Sequence, residues 1–237
     1  MTDVIIVFGG SGDIGREICE VFANDKYQVI ASYHKRKPKR KNVNIKYFYF
    51  DASKGGKIPD FLNKKSFHIV GIFFCVGMAS SKMSIMDTSI NEFLLLNEVN
   101  ALSFIKIMHK LRKSIERDAP YIIILNSEAV LKNSRNSAPY SASKSYLHSL
   151  VATLKKELIN MDTKVEEIFL PPVEGNMMTE IARKAGYNTL DEYVKDKLNG
   201  KILCTKQIAI ACKQKIDGNE NAIKFLLDDL KINSAKK

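Results

Sequence analysis

The chain has 237 residues, of which 45% are hydrophobic and 27% charged, a balance that is typical of a globular protein and excludes bulk disorder. No apolar run reaches the roughly 18 residues of a membrane span, and the four cysteines have no disulfide or metal-ligand spacing, so we expect a cytoplasmic protein with reduced thiols and no metal. The formal net charge of +11 does not predict a nucleic-acid partner, because more than half of the excess lies in one loop-like segment, 34–41, without interleaved aromatic residues.

Apolar, β-branched runs alternate with longer helical patterns along the chain. The predicted strands are Val4–Phe8, Gln28–Tyr33, Ile45–Phe50, Ile69–Cys75, Tyr121–Asn126, Lys164–Leu170 and Ile223–Leu227, and the predicted helices are Ile14–Asn24, Ile58–Lys64, Ile90–Arg117, Tyr140–Met161 and Lys206–Lys215. Four of the strands are nearly continuous apolar runs, as in parallel strands that are covered on both faces. The alternation predicts an α/β fold, a three-layer doubly wound parallel sheet. Since no repeat and no linker-like tract interrupts it, we expect a single domain over residues 1–237.

The first predicted strand leads into a glycine-rich turn and then into an amphipathic helix. Glycine lets the backbone approach a pyrophosphate closely, and the free amides at a helix N-terminus favour its charge. The turn therefore predicts a dinucleotide phosphate site formed by Gly9, Ser11, Gly12, Asp13, Ile14 and Gly15.

The second predicted strand ends on Tyr33-His34-Lys35-Arg36. Enzymes that use NAD(H) usually carry a carboxylate here for the ribose hydroxyls, and this segment has none. Its cations would instead attract a 2′-phosphate, so NADP(H) is preferred over NAD(H), with Lys35 and Arg36 as the main contacts. The basic residues beyond Pro38, namely Lys39, Arg40 and Lys41, are expected to remain solvated.

Tyr140 and Lys144 are four residues apart in a predicted helix, so their side chains share one helix face. That spacing recurs by chance elsewhere in a lysine-rich chain, but only Tyr140 has a serine, Ser127, thirteen residues upstream at the end of an apolar strand. A nearby ammonium is expected to lower the pKa of a phenol, which could then exchange a proton with a carbonyl oxygen, while a serine hydroxyl stabilises the charge on that oxygen.

The segment 175–201 follows the sixth predicted strand and contains no strand of its own. An insertion after the carboxyl end of a strand is where a substrate lid would lie in such a fold. Its two methionines and two tyrosines would suit a medium-sized, partly hydrophobic substrate. A plain helical hairpin that packs for stability is the alternative.

The glycine turn and the tyrosine–lysine pair together resemble the TGxxxGxG and YxxxK motifs of the classical short-chain dehydrogenase/reductase family. Gly9 and Gly15 match the first and last glycines, whereas Phe8 replaces the usual threonine and Asp13 the middle glycine. We expect Asp13 to face solvent or to cap its helix, away from phosphate. The resemblance implies a Rossmann fold and a nicotinamide-dependent oxidoreductase in which the tyrosine is the acid/base, the lysine also binds the nicotinamide ribose and the serine holds the substrate.

Further positions are assigned by the same resemblance. Asn100 matches an asparagine that supports a water-linked proton relay, and Asp51 an aspartate that contacts adenine. The family glycine after the fourth strand is Gly77, and the usual Pro-Gly after the sixth is Pro171-Pro172, followed by Val173. Asn176 occupies the place of a threonine that often meets the nicotinamide carboxamide.

The predicted function is NADP(H)-dependent hydride transfer between the nicotinamide and a carbonyl or alcohol carbon of a small molecule, as in a ketone or aldehyde reductase. A non-catalytic dinucleotide-binding sensor or scaffold on the same fold is the alternative. The basic surface would suit a substrate bound to an acidic carrier protein. From the resemblance we also expect a homodimer or homotetramer that associates through the helices Ile90–Arg117 and Tyr140–Met161.

Overall fold

The computed structural model describes residues 1–39, 42–54, 56–81 and 83–235, with side chains up to 228. Arg40 and Lys41 of the predicted basic segment lie outside the described residues. The described strands are β1 (Thr2–Phe8), β2 (Gln28–Tyr33), β3 (Ile45–Tyr49), β4 (Phe67–Phe74), β5 (Tyr121–Ser127) and β6 (Lys164–Leu170). The helices are α1 (Asp13–Ala23), α2 (Ile90–Asn97), α3 (Ser103–Asp118), α4 (Ala129–Lys132), α5 (Ala138–Glu157), α6 (Asn176–Lys184), α7 (Leu190–Lys197), α8 (Thr205–Ile216) and α9 (Ala222–Ala235).

The strands form one parallel sheet in the order β3-β2-β1-β4-β5-β6. This is the doubly wound order of a Rossmann fold, and the predicted fold class is confirmed. The strand order reverses between β1 and β4, so a crevice opens there at the carboxyl ends of the strands. Phe8, Phe74 and Ser127 end the strands that border this crevice.

Alternating side chains of the sheet divide the core into two clusters. Val4, Ile6 and Phe8 of β1 face one cluster, which α3 and α5 cover. Ile5 and Val7 face the other, which α1, α8 and the start of α9 cover. All five side chains are fully buried, as the continuous apolar run of β1 predicts.

The seventh predicted strand is wrong, because Ile223–Leu227 lies within α9. Ala222 and Ile223 are buried, and Leu226 and Leu227, one turn later, pack against the same cluster. Apolar residues at i, i+1, i+4 and i+5 form one face of a helix, whereas a strand would alternate or be apolar throughout.

Two predicted helices differ in form from their prediction. The helix predicted over Ile58–Lys64 is only a 3-10 turn, Asp60–Asn63, that begins after Pro59. The long helix predicted over Ile90–Arg117 is present, but a π-helical turn, Glu98–Leu102, separates α2 from α3.

The segment 175–201 contains the two helices α6 and α7 and leaves and rejoins the fold at one point. Val173 and Leu203 form an isolated parallel bridge, with the Glu174 amide donating to the Leu203 carbonyl (2.9 Å) and the Leu203 amide to the Pro172 carbonyl (2.9 Å). No helix in the described part of the chain has both the length and the apolar character needed to cross a membrane.

Candidate active site

The glycine turn between β1 and α1 is tightly packed, and Gly9 and Gly15 are among the glycines that it sterically requires. Gly9 has a φ of +88°, and its amide donates to Ser32 Oγ at the end of β2 (2.8 Å). A β-carbon on Gly15 would lie 2.2 Å from the Gly9 carbonyl oxygen, which no side chain can do. A β-carbon on Gly12 would lie 3.3 Å from the Gly9 carbonyl oxygen and would otherwise occupy open space. The turn therefore brings α1 against the sheet and leaves its N-terminal approach open.

The first amides of α1 are available to an anion. The first intrahelical bond of α1 is donated by the Arg16 amide to the Gly12 carbonyl (2.9 Å). The amides of Asp13, Ile14 and Gly15 therefore precede the hydrogen-bond ladder, as at the start of any α-helix. With the partial positive charge of the helix end they form an anion site.

Asp13 does not cap α1, whose N-terminus lacks a side-chain cap, and its carboxylate does not simply face solvent. It accepts hydrogen bonds from the Asn176 backbone amide (2.6 Å) and side-chain amide (2.6 Å), so it caps α6 instead. Gly175, with a φ of +139°, permits this contact, because a β-carbon there would lie 2.4 Å from the carboxylate. The expectation for Asp13 is thus corrected: it turns away from the α1 amides towards a residue distant in sequence.

The residues after β2 lie beside the glycine turn, because Ser32 of β2 accepts a hydrogen bond from the Gly9 amide. His34 Nε2 lies 3.4 Å from Asp51 Oδ2, and the Asp51 side chain also accepts from the Ser53 hydroxyl (2.6 Å). This hydrogen bond lowers the pKa of Asp51, more than the nearby His34 does. Lys35 and Arg36 are exposed. The residues predicted to bind the adenine half of the dinucleotide therefore lie together at the carboxyl ends of β2 and β3.

A cavity of about 520 Å³ joins the glycine turn to the predicted catalytic group. Of the predicted site residues, it is lined by Gly12, Asp13, Ile14, Gly15, Gly77, Ser127, Tyr140, Lys144, Pro171, Val173 and Asn176. The remaining ones, all within the described chain, lie outside its lining: Gly9, Ser11, Tyr33, His34, Lys35, Arg36, Asp51 and Asn100. Met177, Met178 and Ile181 of α6, which belong to the predicted lid segment, add an apolar wall.

Ser127, Tyr140 and Lys144 converge in this cavity. Ser127 ends β5, and the two other residues are one turn apart on α5. The Lys144 Nζ lies 6.0 Å from the centre of the Tyr140 ring and 3.5 Å from the Leu125 carbonyl oxygen. A β-carbon on Gly77 would lie 3.7 Å from the same Nζ, so the chain after β4 closes the opposite side.

Burial dominates the ionisation of this group. It raises the pKa of Tyr140 above its ordinary value, while a hydrogen bond with Ser127 acts in the opposite direction. The expected net decrease in the Tyr140 pKa is therefore wrong for this structure, because burial outweighs what favours the phenolate, and the Lys144 Nζ lies 6.0 Å from the ring centre. Burial also lowers the pKa of Lys144, to about 8. At neutral pH, Tyr140 is a phenol and Lys144 mainly an ammonium ion.

Asn100 is fully buried in the π-helical turn between α2 and α3. Its Oδ1 accepts from the Met78 amide (2.8 Å), and its Nδ2 donates to the Met78 carbonyl (3.0 Å) and to Ser143 Oγ (2.9 Å). Its side chain therefore clamps the segment after β4 to α5. Since these bonds occupy both amide protons, its side chain is not free to donate to a substrate.

Glu167 and Asn126 are site neighbours that were not predicted. Glu167 is almost fully buried on β6 and accepts a hydrogen bond from Asn126 Nδ2 (2.6 Å). The signal was present in the sequence, because two adjacent acidic residues in a predicted strand must point to opposite faces, and one face of β6 meets α5.

The sheet order and the glycine turn at the switch point define a dinucleotide-binding protein of the Rossmann class. A family profile described as short chain dehydrogenase matches residues 3–186. The chain therefore belongs to the short-chain dehydrogenase/reductase family and is an oxidoreductase of that type, which acts on small molecules.

Similar proteins are distant in sequence but close in structure. An uncharacterized short-chain type dehydrogenase/reductase, y4eK, of Sinorhizobium fredii is 24% identical over 188 residues, which cover 78% of this chain and 75% of that protein. A short chain dehydrogenase family protein from Francisella tularensis has a TM-score of 0.80 at 20% identity, over 94% of this chain and 93% of that one.

Two further solved structures contain dinucleotides. The 3-oxoacyl-(acyl-carrier protein) reductase from Brucella melitensis, in complex with NAD, has a TM-score of 0.78 at 16% identity, over 92% of this chain and 91% of that one. ElxO with NADP bound has a TM-score of 0.78 at 16% identity, over 93% of this chain and 94% of that one. At these identities the likeness establishes the fold.

The residues around the cavity fit a nicotinamide dinucleotide. The amides of α1 supply donors for a pyrophosphate, and the absent β-carbon of Gly12 leaves room for it. Asp13 is an unfavourable group beside these amides, and Asn176 holds its carboxylate.

Proposed function

We propose that this protein is an NADP(H)-dependent reductase of ketones or aldehydes, built as a single dinucleotide-binding and catalytic domain. The observation that carries the proposal is the continuous cavity from the α1 amides to the hydroxyls of Ser127 and Tyr140. An anion site at one end and a proton donor at the other are what reduction of a carbonyl requires.

A nicotinamide dinucleotide bound along this cavity would supply the hydride. Ser127 donates a hydrogen bond to the substrate oxygen and so stabilises the charge that develops there. Tyr140 gives its phenolic proton to the same oxygen. Lys144, buried and positively charged, stabilises the phenolate that remains, because an ammonium close to a phenolate lowers the free energy of that state. Asn100 fixes the walls of the cavity and, as we infer from the family, supports the water-linked relay that returns the proton.

The protonation of Tyr140 suits carbonyl reduction. Because burial raises the pKa of Tyr140, the phenol is the form present at neutral pH. A phenol is the proton donor that carbonyl reduction needs, whereas alcohol oxidation needs the phenolate. The phenol is therefore ready to act as the proton donor of the proposed reduction.

The preference for NADP(H) rests on charge near the end of β2. Lys35 and Arg36 are exposed cations, and the nearest buried carboxylate, Asp51, is already engaged by His34 and Ser53. Asp51 remains a proposed neighbour of the adenine ring. Cofactors in the solved neighbours, NAD in one and NADP in another, do not decide the matter.

The fluorescence of NADPH and NADH on titration with the protein, followed by a panel of carbonyl substrates, tests the function directly. We expect NADPH to bind more tightly and to be oxidised by part of the panel. Tyr140→Phe should abolish turnover and leave NADPH binding intact, whereas Tyr146→Phe, on the exposed side of α5, should change neither. Full activity of Tyr140→Phe would refute the catalytic assignment. Dinucleotide binding without turnover across the panel would favour a sensor.

Charge reversal separates the two cofactors. Lys35→Glu combined with Arg36→Glu should weaken NADPH at least about tenfold more than NADH, since each lost contact to a charged phosphate is worth about 1.5 kcal/mol or more. Lys64→Glu combined with Lys65→Glu is the matched control. These exposed lysines precede β4 and so lie at the amino ends of the strands, opposite the carboxyl ends where Lys35 and Arg36 lie. An equal effect of the first pair on both dinucleotides would overturn the preference.

Assembly, lid and location belong to the same proposal. We infer that 175–201 is a substrate lid, since Met177 and Ile181 on its first helix line the cavity. Self-association as a dimer or tetramer through α2, α3 and α5 is supported by exposed apolar side chains there, Ile90 (71%) and Leu94 (61%) among them. A cytoplasmic location and a carrier-bound substrate stay predictions from the sequence.

A further inference from the structure

Glu167 is a buried carboxylate directly behind the proposed catalytic group. Its side chain is 3% exposed, and His148 Nδ1 on α5 lies 2.8 Å from its Oε2. A buried carboxylate is stable only if its oxygens are hydrogen-bonded or paired with a positive charge. The other oxygen, Oε1, accepts the 2.6 Å hydrogen bond from Asn126 Nδ2.

Asn126 connects this carboxylate to both catalytic elements. Its Nδ2 also donates to the Lys144 carbonyl (3.2 Å), and its Oδ1 accepts from the Ser127 amide (2.9 Å). One chain of hydrogen bonds therefore runs from β6 through the end of β5 to α5, and it sets the spacing between Ser127 and Lys144.

The charge of Glu167 also favours the protonated form of Lys144. Burial lowers the pKa of Lys144 to about 8, and the charge of Glu167 is the largest influence that acts against this decrease. Tyr140 on α5 and Cys75 after β4 also face this region, but burial raises the pKa of both, so that both are uncharged at neutral pH. In the mechanism proposed above, Lys144 must carry its proton while Tyr140 reacts.

We propose that Glu167 is a positioning residue of the reductase, a buried counter-ion that keeps Lys144 protonated and, through Asn126, holds Lys144 and Ser127 in register. The inference rests on the proposed function for its catalytic meaning, and its central prediction concerns the free chain.

The adjacent residue provides a matched control. Glu166 points to the opposite face of β6, where its Oε2 lies 3.4 Å from Lys215 Nζ. Glu166→Gln removes the same charge from the same strand without touching the Asn126 chain. Glu167→Gln is nearly isosteric and keeps an oxygen to accept from Asn126. Glu167→Asn is a second variant that removes the charge with a smaller amide, should the first one fail to fold.

The test is an NMR titration of the full chain labelled with ¹³C at lysine Cε, in which the Lys144 signal is assigned by its loss in Lys144→Arg. In the wild-type chain this signal should titrate near pH 8. In Glu167→Gln its midpoint should fall by about half a pH unit or more, as expected when a neighbouring opposite charge is removed. In Glu166→Gln it should not move.

A midpoint unchanged in Glu167→Gln, or lowered equally in Glu166→Gln, would overturn the inference. With a reducible substrate, the alkaline limb of the kcat profile should also move to lower pH in Glu167→Gln, and activity should recover towards pH 6. A purely structural role would lower activity at every pH. Failure to bind dinucleotide together with a shifted midpoint would instead defeat the proposed function and leave the effect of Glu167 on the protonation of Lys144 standing.

Discussion

Gly15→Ala and Gly12→Ala, two substitutions in the same glycine turn, should have different effects. The first should lower the stability of the fold, and the second should lower the affinity for the dinucleotide. A β-carbon on Gly15 would lie 2.2 Å from the Gly9 carbonyl oxygen. This is about 0.8 Å closer than 3.0 Å, the distance below which β-carbon contacts are essentially never found. Both groups belong to backbone packed between β1 and α1, so the strain cannot be relieved by a side-chain rotation. Overpacking of this kind costs about 1–3 kcal/mol.

Gly12→Ala should behave in the opposite way. Gly12 has a φ of −77° and a ψ of 170°, which alanine adopts readily, and its β-carbon would meet only the Gly9 oxygen at 3.3 Å. Lower entropy of the unfolded chain and a poorer helix cap nearly offset each other, so stability should change by less than about 1 kcal/mol. The methyl group would nevertheless fill the approach to the α1 amides and weaken dinucleotide binding by about tenfold or more.

Urea unfolding of both variants and titration with NADPH give the two readouts. Gly15→Ala should lower the unfolding free energy and the melting temperature, the latter by about 2–4 °C for each kcal/mol. Wild-type binding of NADPH by Gly12→Ala would refute the placement of the phosphates at this turn. Wild-type stability of Gly15→Ala would show that the turn is looser than its contacts indicate.

Three further variants address separate features. Asp13→Asn should tighten NADPH binding about fivefold, because one carboxylate near a phosphate costs about 1 kcal/mol in water-like surroundings, and unchanged affinity in the titration would contradict this. Lys144→Met should remove a pH dependence of stability: the folded pKa of about 8 lies below the ordinary 10.5, so the unfolded chain binds more protons between these values. The unfolding free energy of the wild type relative to Lys144→Met should thus rise by up to about 3 kcal/mol from pH 7.5 to 10.5, and a flat difference in urea unfolding would exclude the buried ammonium. Leu94→Glu should lower the mass measured by light scattering to that of a monomer. Val43→Glu, at a residue that is also exposed, should not, and equal masses for the two variants would exclude the α2 face as the interface.

Patterns that act locally allowed most of the fold to be predicted. Four of the six parallel strands, β1, β2, β4 and β5, were recognisable because each is an apolar run that is largely buried on both faces, and β2 and β6 have the predicted ends. Tyr140 and Lys144 could be paired because a helix turn fixes their relation, and Ser127 because strand ends collect at one edge of the sheet.

Features that depend on distant packing could not be predicted. Asn176, the partner of Asp13, is 163 residues away, and no local pattern selects it. Burial, and not the neighbouring lysine, determines the direction of the Tyr140 pKa, and burial is known only once the helices are in place. The mistaken final strand shows a related limit. The segment Ile223–Leu227 has four apolar residues and one lysine, and so short a pattern fits a helix or a strand until the core that it faces is known.

The bridge between Val173 and Leu203 brings together the two ends of the intervening segment, which therefore forms an almost closed loop. Because its two ends already touch, a longer or shorter insert there would incur only a slowly growing cost in chain-closure entropy, while the sheet stays as it is. As the proposed substrate lid, the segment is accordingly the natural unit to exchange between relatives when a new substrate range is sought. We expect a chimaera that exchanges this segment but keeps Gly175 and Asn176 to retain the Asp13 contact of the glycine turn.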